Sequence, residues 1–182
     1  MRYVIDAGAS KLTLRTYAAG MLSSFGHNPA FSARKFAGAV ELDGDGTHTG
    51  SLKLSIDVGS LDLQGDFSAR DRWDIMHIMN DEVLEAEAHP TIVYDAPSGR
   101  TTIKPAGGNQ FEVTTKGDLT LRGFTRPHPV NARVLIHGDM LRASGEVSIN
   151  QPDYKLKAVT VAGSMIKVKD EVKLTFDIVA RK

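Results

Sequence analysis

The chain has 182 residues, 41% of them hydrophobic and 24% charged, which suits one folded domain and excludes intrinsic disorder. Lysine plus arginine equals aspartate plus glutamate, at 22 each, so no overall positive field draws the chain to nucleic acid or an anionic membrane. Cysteine is absent, which excludes disulfides, thiolate catalysis and cysteine-held zinc or iron–sulfur centres, and no apolar run approaches the ~18 residues of a membrane span.

The opening MRYVIDAG enters strand-like sequence at once, without the charged, apolar and small-residue tracts of a secretory signal. This leads to the expectation of a cytoplasmic protein, or of a periplasmic or secreted one whose signal has been trimmed. A period of two then recurs along the chain. Leu12 and Leu14 alternate with Lys11, Thr13 and Arg15, and residues 18–29 read as a short helix ended by Gly26. Phe36, Gly38, Val40 and Leu42 lead into DGDG at 43–46. That tetrapeptide resembles part of a calcium loop, but it lacks the later acidic ligands and reads as a hairpin turn. In SLKLSIDVG, Leu52, Leu54, Ile56 and Val58 share one face, and Ser51, Lys53, Ser55 and Asp57 share the other.

The period changes in SARDRWDIMHIMN. Trp73, Met76, His77 and Asn80 fall at i, i+3, i+4 and i+7, with Ser68 placed to cap the start and Asn80 suited to the end. A helix of about ten residues is expected here, resting on the β structure. The acidic stretch NDEVLEAEA reads as a solvated face. Alternation resumes in TIVYDAP after Pro90, in FEVTTKGDLTLRG, over Val130–Ile136, over Leu141–Ile149 and over Val172–Ile178. Residues 151–169 are the least regular and read as a loop or lid. About eight one-sided strands joined by tight turns argue for an antiparallel meander, closed either as a sandwich or as a barrel.

No catalytic motif stands out. There is no G-x-S-x-G elbow and no glycine-rich phosphate loop, and the six histidines lack the spacing of a zinc helix. His27 is placed either to meet a ligand head group or to fix its own turn. Arg70 and Arg72 offer guanidinium groups to a phosphate, or serve as solvated surface. Trp73, Met76 and Met79 either touch a ligand or pack the helix onto the sheet.

The order of several segments carries more than any one of them. GHNP around His27, VLEAEAHPTIVY with Pro90, GDLTLRGFTRP and VKDEVKLTFDI follow one another as they do in the YceI-like family of polyisoprenoid-binding, lipocalin-like proteins, which this chain resembles over essentially its whole length. The resemblance implies a single all-β domain over residues 1–182: an eight-stranded antiparallel barrel with one or two short helices. It also implies a long apolar pocket for an isoprenoid-like lipid or quinone, with no other cofactor required and no proven enzyme activity. Where the family often has an arginine and a glycine near the C-terminal strand, this chain has Gln151-Pro152 and Lys155.

Alternation then selects the inward residues expected to meet such a ligand: Leu12, Leu14, Leu52, Leu54, Ile56, Val134, Val147 and Phe176. Phe25, His27, Trp73 and Met76 are expected near its closure, and Arg70 and Arg72 near a head group. Small residues on the same faces (Gly38, Ala132, Ala143 and Gly145) are expected to leave it room. The expected partner is an apolar amphiphile, with no nucleic acid, no membrane span and a homodimer as the default assembly. The competing readings are a packed barrel with no ligand, and an enzyme using the same cavity, for which His27 with Arg70 or Arg72 is the candidate constellation.

Overall fold

A computed structural model describes residues 1–19, 28–43, 49–156 and 167–182. In chain order the strands are β1 (Arg2–Ile5), β2 (Lys11–Arg15), β3 (Ala18–Ala19), β4 (Ala30–Ala33), β5 (Phe36–Leu42), β6 (Gly50–Asp57) and β7 (Leu61–Gln64). A helix, α1 (Ala69–His77), follows. Then come β8 (Thr91–Ala96), β9 (Thr101–Gly107), β10 (Gln110–Leu121), β11 (Phe124–His137), β12 (Met140–Asn150), β13 (Lys167–Val168) and β14 (Glu171–Arg181). Every pairing is antiparallel, and the order β1-β5-β6-β8-β10-β11-β12-β14 closes on itself because β14 also pairs β1. The result is the expected eight-stranded barrel.

Four of its walls are broken strands. β1 and β2 both lie against β14, separated by a short 3₁₀ turn over Ala7–Ala9. β4 and β5 lie against β7 and β6 in the same way, and β8 and β9 share β10. The other four walls run unbroken for 11 to 14 residues: 12 in β10, 14 in β11, 11 in β12 and 11 in β14. The DGDG hairpin reading joins β5 to β6, but residues 44–48 lie outside the described residues.

Among the described residues the barrel is plugged at one end and open at the other. At the end where β1 begins, Tyr3, Leu42, Ala96, Leu141 and Ala180 are all buried. At the far end β7 pairs only β4, and α1 packs on β7 in place of a further strand. Ser68 caps α1 as expected, its Oγ accepting the Asp71 N–H at 3.0 Å and donating to the Asp71 carboxylate at 2.7 Å. The helix does not stop at Asn80. It continues as a π turn over Ile78–Val83, with Leu84 N–H bonded to the Met79 carbonyl at 2.9 Å.

The expected helix at 18–29 is not found where the chain is described: Ala18–Ala19 is the strand β3, which pairs β13. Residues 20–27, with Gly26 among them, lie outside the described residues. In the expected loop, Gln151–Tyr154 forms a 3₁₀ turn whose Tyr154 is 1% exposed.

The LRG of GDLTLRGFTRP makes the two-residue turn between β10 and β11. Arg122 and Gly123 both take positive φ, +50° and +73°, as a type I′ hairpin requires. The Arg122 side chain then folds back and is only 12% exposed. Its guanidinium donates to the Lys155 carbonyl at 2.8 Å and pairs with the Glu85 carboxylate, so one turn ties the exit of the helix to the segment after β12.

The inward glycines do not leave open space. A Cβ on Gly38 would sit 2.2 Å from the Lys53 carbonyl oxygen, and one on Gly145 would sit 2.6 Å from the Phe176 ring. They let neighbouring walls and rings come close. Gly117 does the same for Tyr94, whose ring carbon Cζ would lie 2.5 Å from a Cβ there. Gly117→Ala is expected to cost about 1–3 kcal/mol of stability by overpacking. The cost should be smaller in a Tyr94→Leu background, although the Asp95 carbonyl oxygen, 2.9 Å away, still crowds the new methyl. Denaturant titration of the four variants of that cycle checks it, and full additivity would remove Tyr94 as the cause.

Candidate ligand cavity

The inner face of the barrel encloses a cavity of about 640 Å³, within the range of small-molecule sites. It runs from Leu42, Ile136 and Leu141 at the plugged end to Asp66, Ser68 and Gln151 at the open one. Inward side chains such as Leu14, Leu52, Leu54 and Phe176 are only partly buried although they point into the barrel. Their remaining exposure is to the cavity. The side chains of an eight-stranded barrel can just fill it, but here they stop short of meeting across it.

All eight strand residues selected by alternation line this space: Leu12, Leu14, Leu52, Leu54, Ile56, Val134, Val147 and Phe176. Phe25 and His27 lie outside the described residues. The remaining expectations need correction. Trp73 is 64% exposed and stacks on His77, with ring centroids 4.8 Å apart, on the solvent side of α1. Met76 packs against the core without lining the cavity. The stripe that lines it is Asp71, Asp74, Ile75, Ile78 and Met79, which begins two residues earlier and so lies about 200° round the helix from the expected one. These positions also follow i, i+3, i+4 and i+7, so the periodicity is as expected and the phase is not. The π turn adds a residue, which brings Val83 and Leu84 onto the cavity as well.

Neither arginine lines the cavity. Arg72 donates to the Leu63 and Gly65 carbonyls at 2.5 and 3.0 Å and lies 3.6 Å from the Asp62 carboxylate. It fixes the turn that leads from β7 into α1. The Asp62 carboxyl is held below its usual range, first by a hydrogen bond from Arg34 and then by the positive charges of Arg34 and Arg72. Arg70 is 88% exposed in its side chain and stands 3.9 Å from Asp74.

Sequence reasoning missed a polar patch on the inner wall. Tyr94, Thr115 and His128 line the cavity from β8, β10 and β11. The Tyr94 hydroxyl is 2.5 Å from Thr115 Oγ1, accepts the Gly117 N–H at 3.0 Å and lies 3.0 Å from the His128 carbonyl, to which it can donate. Burial raises the Tyr94 hydroxyl above its ordinary value, so it keeps its proton. His128 Nδ1 lies 3.4 Å from the hydroxyl of Tyr154, which burial pushes up to about 12. Burial lowers His128 itself, so its ring is neutral at physiological pH. The signal was present in the sequence: Thr115 and His128 sit in the apolar phase of their strands, where a polar residue is the exception.

Among the described residues no three histidine, aspartate or glutamate side chains come together to hold a metal. No helix among them is long and apolar enough to cross a membrane.

The described residues thus form a β-barrel around an apolar cavity, and known proteins share this fold. A family model described as the YceI-like domain matches residues 3–180. The chain belongs to the YceI-like family. Among solved structures it is similar to BcnA of Burkholderia cenocepacia, at 23% identity and a TM-score of 0.67 over 96% of this chain and 98% of that one. It is also similar to a polyisoprenoid binding domain from Saccharophagus degradans, at 17% identity and a TM-score of 0.70 over 98% and 97% of the two chains. A Campylobacter jejuni YceI protein matches at 16% identity and a TM-score of 0.55 over 84% of each chain. These likenesses establish a shared fold. Curated relatives called UPF0312 proteins, from Vibrio cholerae, are 31% identical over 101 residues, 56% of this chain and 47% of theirs. The chain thus aligns with about half the length of the curated relatives it matches.

The half-buried imidazole of His128 makes stability depend on pH. Unfolded, His128 takes up its proton near the ordinary value of 6.5, whereas folded it does so only at lower pH. The unfolded chain therefore binds more protons just below 6.5, and stability is lost as pH falls through that window. Denaturation midpoints measured from about pH 7.5 down to about pH 5.5 should fall more steeply for the native chain than for His128→Gln. Equal slopes would show that the ring is not held neutral by its surroundings.

Proposed function

We propose that this protein binds an isoprenoid-like amphiphile, a polyprenyl or quinone-like lipid, and sequesters or carries it inside the barrel. The observation that carries the reading is the apolar lumen of about 640 Å³, lined by side chains from every wall of the barrel. A water-filled lumen of this composition gains by exchanging water for hydrocarbon. Each buried methylene contributes about 0.8 kcal/mol, so a long tail binds without specific chemistry. Family membership supports the same reading, as does the likeness to the Saccharophagus degradans protein, itself described as a polyisoprenoid binding domain.

An enzyme in the same cavity is the weaker reading. Its candidate constellation joins His27 to Arg70 or Arg72, and neither arginine lines the cavity. A packed barrel without a ligand does not fit a lumen of about 640 Å³.

Organic extraction of the denatured, purified protein followed by mass spectrometry should yield a prenyl lipid or quinone near one per chain. Leu54→Trp, which fills the lumen, should lower that yield several-fold while thermal unfolding stays cooperative. Lys53→Trp, on the outer face of the same strand, should leave it unchanged. An empty extract that stays empty after incubation with polyprenol and prenylquinone would remove the proposal.

A further inference from the structure

Among the described residues, the ionised groups that line the cavity are all of one sign. Asp66, Asp71 and Asp74 stand at its open end, and among the described residues no lysine or arginine lines it. Asp66 and Asp71 are exposed, so their carboxylates stand in water at that end of the cavity. A diphosphate head approaching these carboxylates meets three like charges, and Arg70, a cation beside them, stands 3.9 Å from the Asp74 carboxylate. If it moved deeper, it would lose its water to a lumen walled mainly by aliphatic side chains.

Further in, the polar surface has a different character. Thr115 and Tyr94 are 6% and 7% exposed, lie halfway along the barrel wall and carry no charge. Their protons can be arranged in two ways. If Tyr94 donates to the His128 carbonyl, Thr115 donates to Tyr94 and keeps free lone pairs for a donor. If Tyr94 donates to Thr115, the Thr115 proton is free for an acceptor. The pair therefore suits a hydroxyl, a carbonyl or an amide equally. Thr101 faces Thr115 across the β9–β10 ladder and also lines the cavity, yet its Oγ1 is buried without a partner. A ligand oxygen within reach of this hydroxyl would satisfy it.

We infer that the lumen selects amphiphiles whose polar group is uncharged and hydrogen-bonding, seating that group on Thr115, Tyr94 and Thr101 while the three aspartates turn anionic head groups away. This rests on the lipid-binding reading and adds the class of head group to it. It also replaces the expectation of a phosphate held by Arg70 and Arg72.

The test compares three probes of equal chain length on the delipidated full chain: geranylgeraniol, geranylgeranyl diphosphate and the corresponding hydrocarbon. Displacement of a fluorescent fatty probe reports each affinity. The alcohol should bind at least about tenfold more tightly than the diphosphate and about tenfold more tightly than the hydrocarbon, the range of one net hydrogen bond. Thr115→Val should remove most of the alcohol's advantage over the hydrocarbon. Asp66→Asn/Asp71→Asn/Asp74→Asn should narrow the gap between alcohol and diphosphate.

A diphosphate that binds the native chain as tightly as the alcohol overturns the inference and leaves the lipid container standing. An alcohol advantage that survives Thr115→Val in full removes the proposed seat, and one over the diphosphate that survives the triple variant removes the aspartates as its cause. If none of the three probes binds, the container reading falls and this inference falls with it.

Discussion

The pairing of β14 with the wall formed by β1 and β2 is the constraint on which the rest depends. Without it the chain would be an open meander with two exposed edges and one apolar face needing a cover. With it, every apolar phase turns toward a common axis, and the edges disappear. The inward side chains then pack against neighbours on their own wall but do not span the lumen. That is why Leu14, Leu52 and Leu54 remain partly exposed although they lie inside. The cavity is a consequence of closure at this strand number with side chains of this size, and not of missing volume at any one residue.

The inward glycines support this view. Gly38 admits the close approach of β6, Gly145 admits the Phe176 ring, and Gly117 admits the Tyr94 ring. Each lets an aromatic ring or a neighbouring wall come close, which smooths the lumen. Where Tyr94 lies against Gly117 it also carries a hydroxyl to the middle of an apolar surface. That hydroxyl is satisfied by the Gly117 N–H and shared with Thr115, so the patch is stable without a ligand and can still offer it a bond.

Most of the barrel was legible because period two is a strong signal and because closure makes it binding. A strand with one wet face has one register, and all eight selected strand positions line the cavity. The helix was less legible for a physical reason. Trp73, Ile75, Met76, Ile78 and Met79 cover more than half of its circumference, so two stripes fitted the period equally well. The chosen stripe contained the larger ring. The stripe that packs begins with two aspartates, which is possible only because that end of the helix stands at the open mouth, where the carboxylates remain in water. Arg72 illustrates another limit. An arginine near the start of a helix suggested a ligand contact, whereas the preceding turn consumed its guanidinium through the Leu63 and Gly65 carbonyls. Such backbone capture depends on the path of the chain and leaves no periodic trace.

The two halves of the barrel divide the work. β10, β11, β12 and β14 are long, unbroken and paired along most of their length, from Gln110↔Leu135 to Leu121↔Phe124 in one ladder and from Met140↔Arg181 to Asn150↔Glu171 in another. A ladder of this length resists local opening, so this half is the rigid cradle. The other half is interrupted near Ala7–Ala9, between β4 and β5, at Val58–Ser60 and between β8 and β9. Each interruption lets a wall change direction, and together they allow β7 to leave the barrel and take α1 as its neighbour in place of a strand. The mouth is therefore built from the interrupted half and braced by the continuous one. Arg122 is the brace: it stands on the β10–β11 turn and holds Glu85 beyond the helix and Lys155 beyond β12 with one buried guanidinium. An arginine suits this position because its fork can hold a carbonyl and a carboxylate together and stays charged when partly buried. Glu85 and Lys155, beyond the helix and beyond β12, are thus fixed to the turn of the longest ladder of the fold.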